Sequence, residues 1–304
     1  MAAKILSFFI AILMFFSPEL PHLLDLPAIA RGQDLQLEER FELVWEDEFL
    51  GDSLDTTKWN DNQSVDTLHW GPIRKGGYWH KDMIDVRDGN LVISTEYKSE
   101  PLEGNTFGSP DEYGVGYYTG MIATQGKADF LYGYYECRAI LPKSTGMWAA
   151  FWMMNGGVYN QDGSGQDGTE VDIFESMYYK DEWWGAGDCV VSGIHFDGYD
   201  GMHQGDSIGR FFANNPYEEF NTYGVEWTPE EYIFYINGKE TGRLTKGGVS
   251  QNPEYLILSC EIAGQDGVAY ADRHGTGPIS LKEGETAEFI VDYVKVYKHK
   301  GDIK

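Results

Sequence analysis

An all-β domain, a sandwich or a barrel, is what the 304-residue sequence predicts, and three observations carry that expectation. Short runs rich in β-branched and aromatic residues recur along the chain, with glycine-containing turns between them. No segment sustains apolar residues at i, i+3, i+4 and i+7, so no amphipathic helix is expected. Aromatic residues make up 15% of the chain, including 9 Trp and 20 Tyr, which excludes disorder and suits a large β core or a sugar-stacking cleft. Many short strands bury their apolar faces by packing as two sheets or as one closed sheet.

In chain order, residues 1–30 read as a signal peptide. Lys4 supplies the positive start, Ile5 to Phe16 is an apolar run, and Ala28-Ile29-Ala30 offers a small-x-small cleavage site before Arg31. The run falls short of the ~20 residues a membrane span needs, and Pro18, Glu19, Pro21 and Asp25 break up the stretch after it. A secreted protein with no membrane association after cleavage is therefore expected. Residues 31–40 form a short polar lead. Residues 41–300 form one domain, because no linker, repeat or low-complexity block divides them. The expected strands begin with Glu42-Leu43-Val44-Trp45 and the stretch Gly89 to Thr95. In Tyr132 to Leu141, Glu136 and Arg138 alternate with Tyr135, Cys137 and Ala139, so they share a face and pair across strands. Ala149 to Met154, Val190 to Phe196, Tyr223 to Trp227 and Tyr232 to Ile236 come next, and Asn237-Gly238 then signals a tight hairpin. Tyr255 to Ile262 and Glu288 to Tyr297 complete the set. Cys137, Cys189 and Cys260, odd in number and widely spaced, imply no disulfide framework and no zinc site; they read as small buried hydrophobes.

Charge narrows the partners. Asp and Glu number 49 against 23 Lys and Arg, a formal net charge of −26. Such a chain is repelled by nucleic acid and by anionic membrane surfaces, and by a heavily sulfated polysaccharide unless a local basic pocket overrides the mean.

Chemistry is concentrated in Thr169-Glu170-Val171-Asp172-Ile173-Phe174-Glu175-Ser176. Glu170 and Asp172 alternate with Val171 and Ile173, a strand with acids on one face and apolar groups on the other. Strict alternation would aim Glu175 into the core, where an unpaired carboxylate is very costly. A β-bulge between Asp172 and Glu175 is therefore predicted, returning Glu175 to the face of Glu170 and Asp172. Two carboxyl groups roughly 5–5.5 Å apart suit glycoside hydrolysis by double displacement, and mutual repulsion keeps a proton available near neutrality. The alternatives are a solvated acidic strand face or a cation site.

Glu170-Val171-Asp172-Ile173-Phe174-Glu175 resembles, position by position, the bulged E-x-D-x-x-E motif of glycoside hydrolase family 16, the group of laminarinases, lichenases, agarases and carrageenases. The likeness runs from about Trp45 to about Tyr297 and includes the strands Tyr117 to Lys127 and Tyr132 to Ala139. It implies a β-jelly-roll of two antiparallel sheets with a concave substrate cleft. Glu170 would then be the nucleophile, Glu175 the general acid/base and Asp172 the assistant of the nucleophile. It places Trp148, in the G-x-W-P-A-x-W-like segment Gly146 to Trp152, in the cleft. Trp152 has the same strand parity, while His195 corresponds to a histidine beside the acid/base. One structural Ca²⁺, not needed for the chemistry, would be bound by a main-chain oxygen near Glu48, another near Gly89 and the aspartate Asp292; hard oxygen ligands suit it. Trp79, Trp183 and Trp184 fall in loop-like segments, where an aromatic more often binds ligand.

The sequence also departs from the family pattern. Where laminarinases carry Trp-Pro before the nucleophile, Asp162 to Gly168 has no aromatic. Where many show N-x-A-x-G-G, this chain has Ser259-Cys260-Glu261-Ile262-Ala263-Gly264, and Glu261 would project toward the cleft and a sugar hydroxyl. The expected activity is that of a monomeric, secreted, retaining endo-β-glycanase on β-1,3- or mixed β-1,3/1,4-glucan. The alternatives are an endo-acting galactanase-type hydrolase, a non-catalytic carbohydrate-binding protein, or a metal site in a structural domain.

Overall fold

The computed structural model describes residues 27–61, 72–104, 113–177, 179, 186–271 and 279–301. Two large, mainly antiparallel sheets pack face to face as a jelly-roll sandwich. The first runs, from edge to edge, Ala28–Ile29, Gln204–Phe212, Cys189–Phe196, Glu170–Ser176, Met147–Met154, Tyr255–Ile262, Met121–Ala123 and Asn60–Asp61. At the centre of the second, Gly133–Ile140 lies between Asn221–Trp227 and Thr286–His299. Phe41–Asp47 and Asn90–Lys98 also pair with Thr286–His299.

Alternation within each strand divides its side chains between two environments. In Met147–Met154 the odd positions Met147, Ala149, Phe151 and Met153 enter the core between the sheets. The even positions Ala150, Trp152 and Met154 join a separate apolar cluster with Trp79, Met121, Ala123 and Ile257 on the outer face of the first sheet. Tyr255–Ile262 divides the same way: Leu256, Leu258 and Cys260 face the core, while Ser259 and Glu261 stand on the other side. Across the core, Phe174 meets Tyr223 at 4.3 Å between ring centres and Phe289 at 6.1 Å. The three cysteines are buried and free, as expected.

The expected strands are present, mostly one to three residues longer, because ladders extend past the apolar pattern that announces them. Two kinds of strand are new. Gln204–Phe212 holds Gly205, Asp206 and Gly209 and carries no clean alternation; backbone pairing to Cys189–Phe196 recruits it. Gly77–Trp79, expected as loop, pairs in parallel with Gly116–Thr119 and buries Trp79 completely. The lead is more ordered than its composition suggests. Ala28–Ile29 adds to the edge of Gln204–Phe212, Ala28 is buried in the core, and Leu35 packs with Phe41 and Tyr134. Two residues assigned to the signal segment thus contribute a strand. No helix among the described residues is long and apolar enough to cross a membrane, and the apolar run Ile5 to Phe16 lies outside them.

Candidate active site

A bulge in Glu170–Ser176 builds the site. Against Cys189–Phe196, Glu170 pairs with His195, Asp172 with Gly193 and Glu175 with Val191, so three steps oppose two. Against Met147–Met154 the shift falls between Asp172, opposite Trp152, and Phe174, opposite Phe151. Ile173 is the extra residue. Its side chain and that of Phe174 both enter the core, and Ser192 Oγ donates to its carbonyl at 2.8 Å. Glu175 thereby rejoins the face of Glu170 and Asp172, as the cost of a buried carboxylate requires.

Glu170 and Glu175 are half-buried, and Asp172 between them is buried. Trp148 Nε1 donates to Glu175 Oε1 at 2.7 Å, and the Tyr199 hydroxyl donates to Glu170 Oε2. His195 Nε2 stands 3.4 Å from Asp172 Oδ2, while its Nδ1 is 2.9 Å from His203 Nε2. Burial first, and then the charge of Asp172, raises the Glu170 carboxyl to about 7, against the pull of Tyr199, His195 and Arg74. Burial also lifts Glu175 well above the carboxylate range, with Asp172 and Glu170 adding to it and the Trp148 bond offsetting only part. For His195, burial works against the charged ring, but the contact with Asp172 and the charge of Glu170 outweigh it and raise its pKa. The two outer acids are therefore unlike. A donor and two cationic groups favour charge on Glu170, whereas like charges surround Glu175, so a proton shared by the pair resides on Glu175.

These groups line a groove of about 670 Å³. Trp148 lies at its wall, half-buried, with Lys75 Nζ 4.0 Å from the ring centre. Trp152 forms part of the floor; it is 4% exposed and donates to Ser259 Oγ at 3.1 Å, so little of its ring can meet a sugar. Trp79 is not a cleft residue. It is fully buried, and its Nε1 donates to the Cys260 carbonyl at 2.8 Å. An indole that satisfies its N–H on backbone inside a core is a packing group. His195 stands in the groove beside Asp172 and across from Glu170, not on Glu175. Glu261 does face the groove, but its Oε1 accepts from Arg74 Nε at 2.6 Å and Lys75 Nζ lies 3.6 Å from its Oε2. The carboxylate expected to meet a sugar hydroxyl is thus in a salt bridge, with Oε2 left without a hydrogen bond among the described residues. Trp183 and Trp184 lie outside the described residues. Arg74, Lys75, Tyr159, Tyr199 and His203 also line the groove and were not among the residues the sequence singled out. Adjacent cations in so acidic a chain were a signal for the first two; no local pattern marks the others.

Glu170, Asp172 and His195 bring possible ligand atoms within 4.8 Å of one another. The Tyr199 hydroxyl already engages Glu170, His203 engages His195, and the proton affinities of Glu170 and His195 are raised, so these groups are arranged for sharing protons rather than for a cation. The residues put forward for calcium gather elsewhere. Two ladders to Thr286–His299 end beside them, at Asp47 opposite Val294 and at Leu91 opposite Val291. Yet Asp292 Oδ2 accepts from Arg138 Nη1 at 2.5 Å, and Glu48 Oε1 accepts from Lys295 Nζ at 2.8 Å. Gly89, at φ +72°, serves a turn. Of the set, only Asp292 would bind through its side chain, and that carboxylate is engaged by Arg138; Glu48 and Gly89 would offer main-chain oxygens, which these side-chain pairs leave untouched.

The profile of a family described as "Beta-porphyranase A-D, GH16 domain" matches residues 43–299. A beta-glucanase of Rhodothermus marinus is 29% identical over 273 residues, covering 85% of each chain. Glucan endo-1,3-beta-glucosidase A1 of Niallia circulans is 30% identical over 286 residues; these cover 84% of this chain but only 38% of that protein. Among solved structures, SCLam, a non-specific endo-beta-1,3(4)-glucanase from family GH16, superposes with a TM-score of 0.65 at 26% identity, covering 90% of this chain and 97% of that one.

Proposed function

The chain belongs to glycoside hydrolase family 16, and from that premise we propose a secreted, retaining endo-β-glycanase that cuts β-1,3- or mixed β-1,3/1,4-glucan. The observation that carries this reading is the bulged strand, which returns Glu175 to the face of Glu170 beside Asp172. In it, Glu170 attacks the anomeric carbon and the bond from that carbon to the glycosidic oxygen breaks, while Glu175 protonates the departing oxygen. Glu175, now ionised, takes a proton from water as its oxygen attacks the same carbon, which frees Glu170. Asp172, with His195 Nε2 3.4 Å from its Oδ2, stands between the two outer acids and assists the nucleophile.

The unequal environments support the division of roles. Activity should rise with pH as Glu170 ionises near 7 and fall at higher pH as Glu175 loses its proton. The glucan assignment rests on the relatives' activities. A second reading, an endo-acting galactanase-type hydrolase, is favoured by the family profile's own description and by Arg74 and Lys75 in the cleft. Export is inferred from the apolar run at 5–16; the strand Ala28–Ile29 favours a cut ahead of residue 27 rather than after Ala30. A monomer is proposed, with polysaccharide as the partner.

The test is a panel of soluble β-glucans and galactans with sizing of the products and with the released anomer followed by NMR. Oligosaccharides appearing first as the β-anomer from β-1,3- or mixed-linkage glucan are expected, and Glu170→Gln should lower kcat by at least about a thousandfold. An inverted first product would rule out Glu170 as a nucleophile, and cleavage of galactans alone would shift the assignment to the second reading.

A further inference from the structure

Two tyrosines that stand on separate loops meet over the Glu170 end of the groove. Tyr159 closes the 3-10 turn Gly156–Tyr159, and Tyr199 lies in the loop after Cys189–Phe196. Their rings pack edge to face with centres 5.7 Å apart, and they are 51% and 50% exposed. Exposed side chains usually wander, yet these two loops are tied together. Gly198 N donates to the Val158 carbonyl at 2.7 Å. The fully buried Asp197 carboxylate accepts from Asp162 N at 3.1 Å, from Gly163 N at 3.0 Å and from Gln204 Nε2 at 2.6 Å. The Tyr199 ring also stacks on His203, with centres 6.0 Å apart. Its hydroxyl reaches inward to Glu170 Oε2.

We propose that Tyr199 is a positioning residue for the displacement: its hydroxyl holds the Glu170 carboxylate in place and ionised, while its exposed ring and that of Tyr159 form a stacking face for the sugar bound beside Glu170. The proposal rests on the reading of Glu170 as nucleophile. A phenol donating to one oxygen of a carboxylate favours its charged form and leaves the other oxygen to attack. The half-exposed pair presents aromatic surface at the mouth of a groove lined by charged groups of both signs, and the apolar face of a pyranose ring seats on such surface. Besides Tyr199, the groups acting on Glu170 are Asp172 and Glu175 on its own strand, His195 on the neighbouring strand, Arg74, and Glu254 and Tyr255 at the start of Tyr255–Ile262. None of these is altered by changing Tyr199 to Phe.

The test compares Tyr199→Phe with Tyr159→Ala, using laminarin as the β-1,3-glucan and ¹³C NMR titration of the Glu170 carboxyl in the full chain. Tyr199→Phe keeps the ring and removes the donor. It should move the acidic limb of kcat/KM and the Glu170 midpoint up by about one pH unit, about tenfold in kcat/KM on the acidic side, with KM near wild type. Tyr159→Ala should raise KM by roughly two- to tenfold and leave the acidic limb in place. An acidic limb and a Glu170 midpoint that stay put in Tyr199→Phe overturn the positioning role, and an unchanged KM in Tyr159→Ala overturns the stacking face. Full turnover in Glu170→Gln would instead defeat the nucleophile reading, and the NMR midpoint would still decide whether Tyr199 acts on Glu170.

Discussion

At the scale of single residues, identical side chains are made unlike by their surroundings. Glu170 and Glu175 sit five positions apart on one strand, and donors and cations favour charge on one while like charges favour a proton on the other. Glu254 shows the same physics away from the groove. It is 1% exposed, accepts from Thr169 N at 3.3 Å, and its second oxygen has no partner among the described residues. Burial raises its carboxyl to about 8. Between the ordinary carboxylate value and 8 the folded chain holds a proton that the unfolded chain has released, so this group makes folding less favourable as pH rises through that window. Each pH unit there costs up to about 1.4 kcal/mol. Glu254→Gln, which keeps an acceptor for Thr169, should raise Tm at pH 8 relative to wild type and leave it nearly unchanged at pH 4. An equal change at both values would show that Glu254 is not neutral in the fold.

At the scale of the element, one bulge decides whether there is a site. Ile173 lets Phe174 and Glu175 face opposite ways where strict alternation would exchange them. Deleting Ile173 leaves Glu170-Val171-Asp172-Phe174-Glu175, which alternates without a bulge and keeps the three acids on one face, so turnover should survive while Tm falls with the lost core side chain. Ile173→Val trims one methylene and should cost about 0.5–1.5 kcal/mol while preserving activity. Thermal melts and turnover of the two variants together separate loss of the bulge from loss of volume. The bulge itself was legible in the sequence, since only it reconciles alternating apolar residues with the cost of a buried acid. The strand Gln204–Phe212 was not, because its order comes from a partner's backbone rather than from its own pattern. Trp79 misled for the same reason: its burial comes from the parallel pairing of Tyr78 with Tyr118, two residues 40 positions apart.

At the scale of the whole molecule, a chain of net charge −26 places Arg74 and Lys75 against Glu261 and Trp148 in its cleft. It also pairs Arg138 with Asp292 and Lys295 with Glu48 on its second sheet. With those pairs in place, the chemistry should run without a metal. Turnover in excess EDTA should equal that in added CaCl₂. A fall in rate that Ca²⁺ restores would return a cation to Glu48, Gly89 and Asp292 or to the acid cluster.

Read alone, the sequence determined the all-β class, most central strands, the acid triad and the bulge that joins its members. Each follows from local periodicity, which depends only on neighbours along the chain. Tertiary structure alone decided which acid keeps the proton, that Trp79 is core, that Glu261 is already paired, and that Tyr159 and Tyr199 close over Glu170. Those outcomes depend on distances between residues far apart in the chain, and on the desolvation and charge met there, for which no local pattern stands in.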